Sequence, residues 1–545
     1  MRLIKVHPLA TGLLAAAAIA TLLAGCASAP LERAPIQLTV LHTNDHHGRF
    51  WPNSDGEYGM AARKTLIDRI RAELRASGGQ LLLLDGGDVN TGVPESDLQD
   101  AEPDFKGMNQ IGYDAMAVGN HEFDKPMSVL AKQRQWMNFP MLAANIYTDG
   151  KRLFEPYKVF DRGGWRIAVV GLTTEDTQKM VMQSNIVGVE FRRPAPELAR
   201  LMPEMRAKAD FVFAVTHMGH YTDGKSGVNA PGDVEMAREV RGLDLIVGGH
   251  SQNPVCMLAE NKRNDAYVPG TPCAPERQNG AWIVQAHEWG KYVGRADFEI
   301  KGGKIELKRY QLLPVNLKQR AGADGKRLTF AEPITEDAAL REFLRPFQQA
   351  GQDKLGIEIG SADGVFDGDR VRVRQVPTNM GQLIARAMME RTGADMALIN
   401  SGGVRDSMPA GKLSYRDVLK VQPFGNQLAV VRMKGSELLS YLQAAAKMTP
   451  GSGAFPQTAG VRMLIEGGVL KTATIGGQPI DANRDYRLAL TNFTAGGGDG
   501  YPKISEHPGY TNTGFTDADV LRAFVPRMSP LKSADFEPGD AVQRR

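Results

Sequence analysis

Five stretches of this 545-residue chain run from apolar residues straight into side chains that hold divalent cations. Leu38 to Leu41 leads into His42-Thr43-Asn44-Asp45-His46-His47-Gly48, and Leu81 to Leu84 into Asp85-Gly86-Gly87-Asp88. Ala115 to Val118 ends in Gly119-Asn120-His121-Glu122, Phe211 to Val215 in Thr216-His217-Met218-Gly219-His220, and Leu243 to Val247 in Gly248-Gly249-His250-Ser251-Gln252. Carboxylate, imidazole and amide side chains together form a mixed N/O ligand set suited to several divalent ions. A divalent ion held by such a set can lower the pKa of a bound water and polarise a substrate oxygen. Any one of these stretches alone would read as a polar loop after a strand. Five with the same grammar point to a metal site.

The apolar runs read as buried strands. In α/β sheets ligands bind beyond the carboxyl ends of strands, so the five tips are expected to converge there. Between them the spacing predicts helices over Met60–Ala76, Pro126–Met137 and Ala195–Ala209, and a further strand over Arg166–Leu172. Gln278 to Leu307 reads as antiparallel strands, with Gly302-Gly303 suited to a hairpin. The first unit thus covers 36–330 and has more than one sheet. A polar stretch around Lys318–Lys326 and a helix within Thr335–Gln352 mark a linker at 331–356, and a second α/β unit fills 357–530. Residues 531–545 read as a poorly packed polar tail.

The N-terminus has its own chemistry. Arg2 and Lys5 precede an apolar segment from Leu9 to Leu23 that closes on Leu-Ala-Gly-Cys26. The pattern predicts a secretory leader over residues 1–25. Its last residues resemble a bacterial lipobox, which implies lipidation at Cys26, a tether over 26–35, and sorting to the outer membrane as an anchored lipoprotein. The alternative is an ordinary leader with a chance cysteine. Of three cysteines, Cys256 and Cys273 then remain, an even pair for which an oxidising compartment permits a disulfide; two buried thiols are the other reading. Formal charge is +3, and removing Arg2 and Lys5 with the leader leaves about +1. With no basic run to neutralise many phosphates, a nucleic-acid polymer is not an expected partner.

Beyond the five stretches, Asn90-Thr91-Gly92-Val93-Pro94-Glu95-Ser96, Gly402-Gly403-Val404-Arg405-Asp406-Ser407, Gln422-Pro423-Phe424-Gly425-Asn426 and Gly497-Gly498-Asp499-Gly500-Tyr501-Pro502 complete a pattern. It resembles the bacterial periplasmic 5′-nucleotidase/UDP-sugar hydrolase family from about residue 38 to 530. The resemblance implies an α/β protein: a metallophosphoesterase αββα sandwich followed by an α/β substrate-binding domain. It implies that Asp45, His47, Asp88 and Gln252 hold one divalent ion (Zn, Mn, Co or Mg) and that Asp88, Asn120, His217 and His250 hold a second. His121 and Asp124 form a catalytic dyad beside Asn120. His46 and His220 are expected to serve as hydrogen-bonding neighbours, and His42 as a strand residue.

The second domain would supply recognition. Arg370, Arg372 and Arg374 alternate as in a strand and would face one way. The resemblance assigns Arg370, Arg374 and Arg405 to phosphate oxygens, Phe424 and Phe493 to the two faces of a base, Asp499 to ribose hydroxyls, and Asn426 to the substrate. The implied activity is hydrolysis of nucleoside 5′-monophosphates, and of UDP-sugars, by a monomer with a small-molecule nucleotide as substrate. A 2′,3′-cyclic-nucleotide phosphodiesterase with 3′-nucleotidase activity shares the architecture. A nucleotide-binding lipoprotein without turnover is the alternative from another class.

Overall fold

The computed structural model describes residues 33–181, 185–222, 230–321 and 327–545; the leader and Cys26 lie outside the described residues. Two six-stranded sheets make up the first unit. One runs, in spatial order, through 304–314, 292–301, 36–43, 80–85, 115–117 and 141–142, and the other through 276–278, 281–284, 245–247, 211–217, 165–173 and 157–162. The period-two alternation of a strand explains the unbroken run Leu81–Leu84. Leu82 and Leu84 join Leu38, Val40, Phe213 and Val215 between the sheets, whereas Leu83 and Leu41 face the helices Met60–Ser77 and Glu102–Ile111 through Ile67, Phe105 and Met108. On the outer face of the second sheet, Leu198, Leu201 and Met205 of Pro194–Lys208 cover Val170 and Val212. Both faces of both sheets are dry, which is the αββα sandwich.

Three tips, after Thr43, Asp85 and Ala117, come from the first sheet, and two, after His217 and Val247, from the second. The site is therefore a seam between two sheets rather than the edge of one. Glycine permits the seam to close: a Cβ on Gly86 would stand 2.5 Å from the carbonyl oxygen of Gly248. The 292–301 and 304–314 strands pair antiparallel across Gly302-Gly303 as expected, but 281–284 belongs to the other sheet, antiparallel to 276–278 on one side and parallel to 245–247 on the other.

The linker helix spans Ala338–Leu355 and starts where the Asp337 carboxylate accepts the Leu340 N–H at 2.8 Å. Leu340 and Leu344 are buried in the core of the first unit. Gly351 lies against Glu95, whose Cγ would be 2.4 Å from any Cβ there. The helix is thus docked on the first domain. The second domain meets it through Arg416, 2.5 Å from the fully buried Glu95 carboxylate.

In the second domain a five-stranded sheet (456–459, 396–400, 485–491, 427–434, 510–516) carries Asn379–Thr392 and Asp517–Met528 on one face and Gly435–Ala446 on the other. Two expectations fail here. The tail packs: Phe536 is buried against Phe366 and Phe524, and Val542–Arg544 adds a parallel strand to 461–466. One aromatic anchor and an open sheet edge outweigh the tail's polar composition. The arginine triplet is a helical turn, Arg370–Val373, because the Asp369 carboxylate accepts the N–H groups of Val371 and Arg372 at 3.0 Å. Helical spacing keeps Arg370 and Arg374 on one face and turns Arg372 outward to Asp367, 3.0 Å away. Cys256 and Cys273 are joined in a disulfide, with Cα atoms 4.7 Å apart.

Candidate metal centre and nucleotide cleft

Asp45, His47, Asp88, His250 and Gln252 all have positive φ, between 51° and 75°. Side-chain-bearing residues avoid this region, and clusters of them mark sites where the surroundings impose the geometry. Here the turns aim five polar side chains into one seam. His47 Nδ1 donates to the Thr91 carbonyl at 2.8 Å and His217 Nδ1 to the Gly86 carbonyl at 2.7 Å. Each bond fixes the tautomer that leaves Nε2 as a lone-pair donor facing inward.

Asp88 is the hub. Its Oδ2 lies 2.9 Å from His217 Nε2, 3.8 Å from His121 Nε2 and 3.9 Å from His47 Nε2. Burial alone would raise its pKa, but His217 and His121 overcome that and hold the carboxyl well below its usual range. Ligand atoms of His47, Asp88 and His121, and of Asp88, His217 and His250, each lie within 4.8 Å of one another. Asp45 Oδ1 is 3.8 Å from His47 Nε2, Gln252 Nε2 is 2.7 Å from the same nitrogen, and Asn120 Oδ1 is 3.0 Å from His250 Nδ1. Asp45 Oδ1 is buried without a hydrogen-bond partner, and the buried His217 Nε2 faces only the Asp88 carboxylate, at 2.9 Å. Such an orphaned atom is costly unless something coordinates it, so the donor set fits divalent metal.

His121 Nδ1 meets Asp124 Oδ2 at 2.5 Å, three residues on in the same turn. Burial opposes the imidazolium, yet Asp124 and Asp88 raise the His121 pKa above its ordinary value. Two neighbours that sequence reasoning missed hold these loops. Glu122 is buried and accepts four backbone N–H groups, from Asp88, Val89, Asn90 and Gly119, at 2.7–3.3 Å. Asn44 donates to Asp45 Oδ2 at 2.7 Å and accepts the Ala286 N–H. An acid buried beside a glycine turn was the available signal for Glu122. His46 accepts from Arg63 at 2.9 Å and donates to Asp104 at 2.8 Å. His220 is buried near Glu276, with 3.7 Å between its Nε2 and Glu276 Oε2, and His42 is a buried strand residue.

Above this floor lies a cavity of about 710 Å³ bounded by both domains. Asp88, Asn120, His121, Asp124, His250 and Gln252 line it from the first domain, and Arg370, Arg374, Arg405, Phe424, Asn426, Phe493 and Asp499 from the second. Asp45, His47 and His217 are buried behind it. Burial first, then Arg370, pulls the Arg405 guanidinium down to about 10, and burial, Arg370 and Arg405 act likewise on Arg374. Clustered guanidinium groups that depress one another are a ready receptor for an anion. Asp499 accepts from Asn400 at 2.6 Å, and Asn426 donates to the buried Asp517 at 3.2 Å.

Residues 38–254 match the family described as calcineurin-like phosphoesterase, and 358–506 match 5′-nucleotidase, C-terminal domain. A 5′-nucleotidase of Vibrio cholerae is 54% identical over 541 residues, covering 97% of this chain and 98% of its own. The chain belongs to the 5′-nucleotidase family. Protein UshA of Escherichia coli K12 is 55% identical over 515 residues, with 93% of this chain and 94% of its own covered. A crystal structure of a 5′-nucleotidase precursor from Thermus thermophilus superposes with a TM-score of 0.78 at 28% identity, covering 93% of this chain and 99% of that one. In this member the ligand-bearing tips all fall within the first match, and the arginines, Phe424, Phe493 and Asp499 within the second. The phosphoesterase match and the carboxylate–imidazole clusters point to divalent metal binding.

Proposed function

We propose that this enzyme hydrolyses nucleoside 5′-monophosphates to nucleoside and phosphate, with UDP-sugars as further substrates. The observation that supports it best is the single cavity with imidazoles and carboxylates on one wall and arginines, phenylalanines and Asp499 on the other. One cation is assigned to Asp45, His47, Asp88 and Gln252, and another to Asp88, Asn120, His217 and His250. When bound, they would activate a water and neutralise charge on the phosphoryl oxygens. Arg370, Arg374 and Arg405 would hold the remaining phosphate oxygens, Phe424 and Phe493 the base, and Asp499 the ribose hydroxyls, with Asn426 bordering the base. His121, oriented by Asp124, would deliver a proton to the departing 5′-oxygen.

Export and lipidation at Cys26 complete the reading. The disulfide suits an oxidising compartment. Arg33, paired with Asp210 at 2.7 Å, enters the strand Ile36–Thr43 at the end opposite the metal tips. Eight residues of strand span about 25 Å, so an anchored monomer would keep its cleft clear of the lipid surface. Phosphate release from AMP, UDP-glucose and 2′,3′-cyclic AMP, with and without chelator, tests the assignment. AMP turnover that chelation stops is the expected result; turnover of the cyclic nucleotide alone would transfer the site to the phosphodiesterase reading, and no turnover would leave a binding protein.

A further inference from the structure

We propose that Phe424 is a positioning residue for His121, so that the second domain completes the acid/base group as well as binding the nucleotide. The inference rests on the acid/base reading of His121. The two rings are stacked, with centroids 5.8 Å apart and planes 11° from parallel. His47 meets the same imidazole edge-on at 4.9 Å and 75°, and Asp124 holds its Nδ1. The imidazole is thus fixed from three directions, two in its own domain and one across the cleft. Nε2 remains directed at the site, 3.8 Å from Asp88 Oδ2.

Phe424 is itself held for this contact. Its loop joins the helix Tyr415–Val421 to the strand Gln427–Lys434, and the buried Val421 and Leu428 anchor its two ends. Gly425 turns the chain at φ 65°. The Arg405 guanidinium sits 5.4 Å from the Phe424 ring centre, so one of the phosphate-facing arginines also braces the ring. An arrangement in which the domains part would leave His121 with Asp124 and His47 but without the Phe424 ring. The proton donor is then fully constrained only in the arrangement that also brings the arginines to the phosphate.

Ribose 5-phosphate separates this role from base stacking, because it keeps the leaving oxygen and the ribose and lacks the base. If Phe424 serves only the base, Phe424→Leu raises KM for AMP and leaves ribose 5-phosphate unaffected. Positioning predicts that kcat for ribose 5-phosphate also falls, by about 2–10-fold from the strength of an aromatic pair. KM for that substrate and metal content should stay near wild type. Phe424→Tyr, which keeps the ring face, should restore kcat. In a His121→Ala background Phe424→Leu should cause no further fall, the signature of a residue that acts through another. An unchanged kcat for ribose 5-phosphate in Phe424→Leu, or an equal fall with and without His121, overturns the proposal. If His121→Ala itself retains full kcat, the acid/base reading fails first and the positioning role with it.

Discussion

Replacing Glu122 by Gln is the sharpest way to ask whether the loops of the metal centre depend on a buried carboxylate. One oxygen, Oε1, accepts the N–H groups of Val89 and Asn90, and Oε2 those of Asp88 and Gly119. Glutamine offers one acceptor oxygen and turns an NH₂ group toward the other pair. Two buried backbone donors then lose their partner, at about 1–3 kcal/mol each. The sum, about 2–6 kcal/mol, is large beside the total stability of a domain. At roughly 2–4 °C per kcal/mol for a domain of this size, the melting temperature of the first domain should drop by ~4–24 °C. The donors flank Asp88 and Asn120, so metal affinity should fall in parallel, by about 10–100-fold as for lost ligand-orienting bonds. Calorimetry of the holoenzyme and metal content after dialysis measure both. A Glu122→Gln enzyme that melts within 2 °C of wild type and retains its metal would refute the reasoning.

Burial raises the Asp517 carboxyl to about 7 from its ordinary 3.8. Between about pH 4 and 7 the folded chain keeps a proton that the unfolded chain releases, so this group's contribution to stability is full at pH 4 and is lost as pH rises. Asp517→Asn should therefore match wild type near pH 4 and gain on it by up to a few kcal/mol at pH 8, read from melting temperatures across the range. Arg416→Ala removes the partner of the buried Glu95; because Arg416 is 36% exposed, water eases the loss, and about 1–2 kcal/mol is expected rather than the 3–5 of a fully buried pair. X-ray scattering of the free enzyme should show a larger radius of gyration, and an unchanged profile would mean the pair does not hold the domains together. Cys26→Ser should leave the precursor unprocessed, whereas wild type should partition into detergent; a freely soluble wild-type protein would contradict lipidation.

Much of the first domain was legible because five apolar runs end alike in Gly, Asp, Asn or His; one such run alone reads as an ordinary loop, and only the repetition carries the inference. The two-sheet seam was not legible, since strand tips carry no mark of the sheet they belong to. Spacing alone could not choose His47 over His46, a choice that came from the family resemblance, and the positive φ shared by Asp45, His47, Asp88 and His250 was not legible because only glycine advertises that region in sequence. The arginine turn misled for a definite reason. Val371 and Val373 alternate with arginines as in a strand, while the local cap from Asp369 overrides that preference. Glu122 and Asn44 escaped because their role is to satisfy backbone donors and neighbouring side chains, which depends on chain segments far away in sequence. The tail escaped for the converse reason: Phe536 was the one aromatic residue in a mostly polar stretch, and its pocket is made by Phe366, over 100 positions earlier, together with Phe524.

The central claim is that two divalent ions shared through Asp88 drive the hydrolysis. Elemental analysis of the purified enzyme, paired with AMP hydrolysis before and after exhaustive chelation, tests it most directly. The account predicts two ions per chain, loss of activity as they are removed, and its return when Mn²⁺, Co²⁺, Zn²⁺ or Mg²⁺ is restored. Full turnover of AMP by metal-free protein would contradict it.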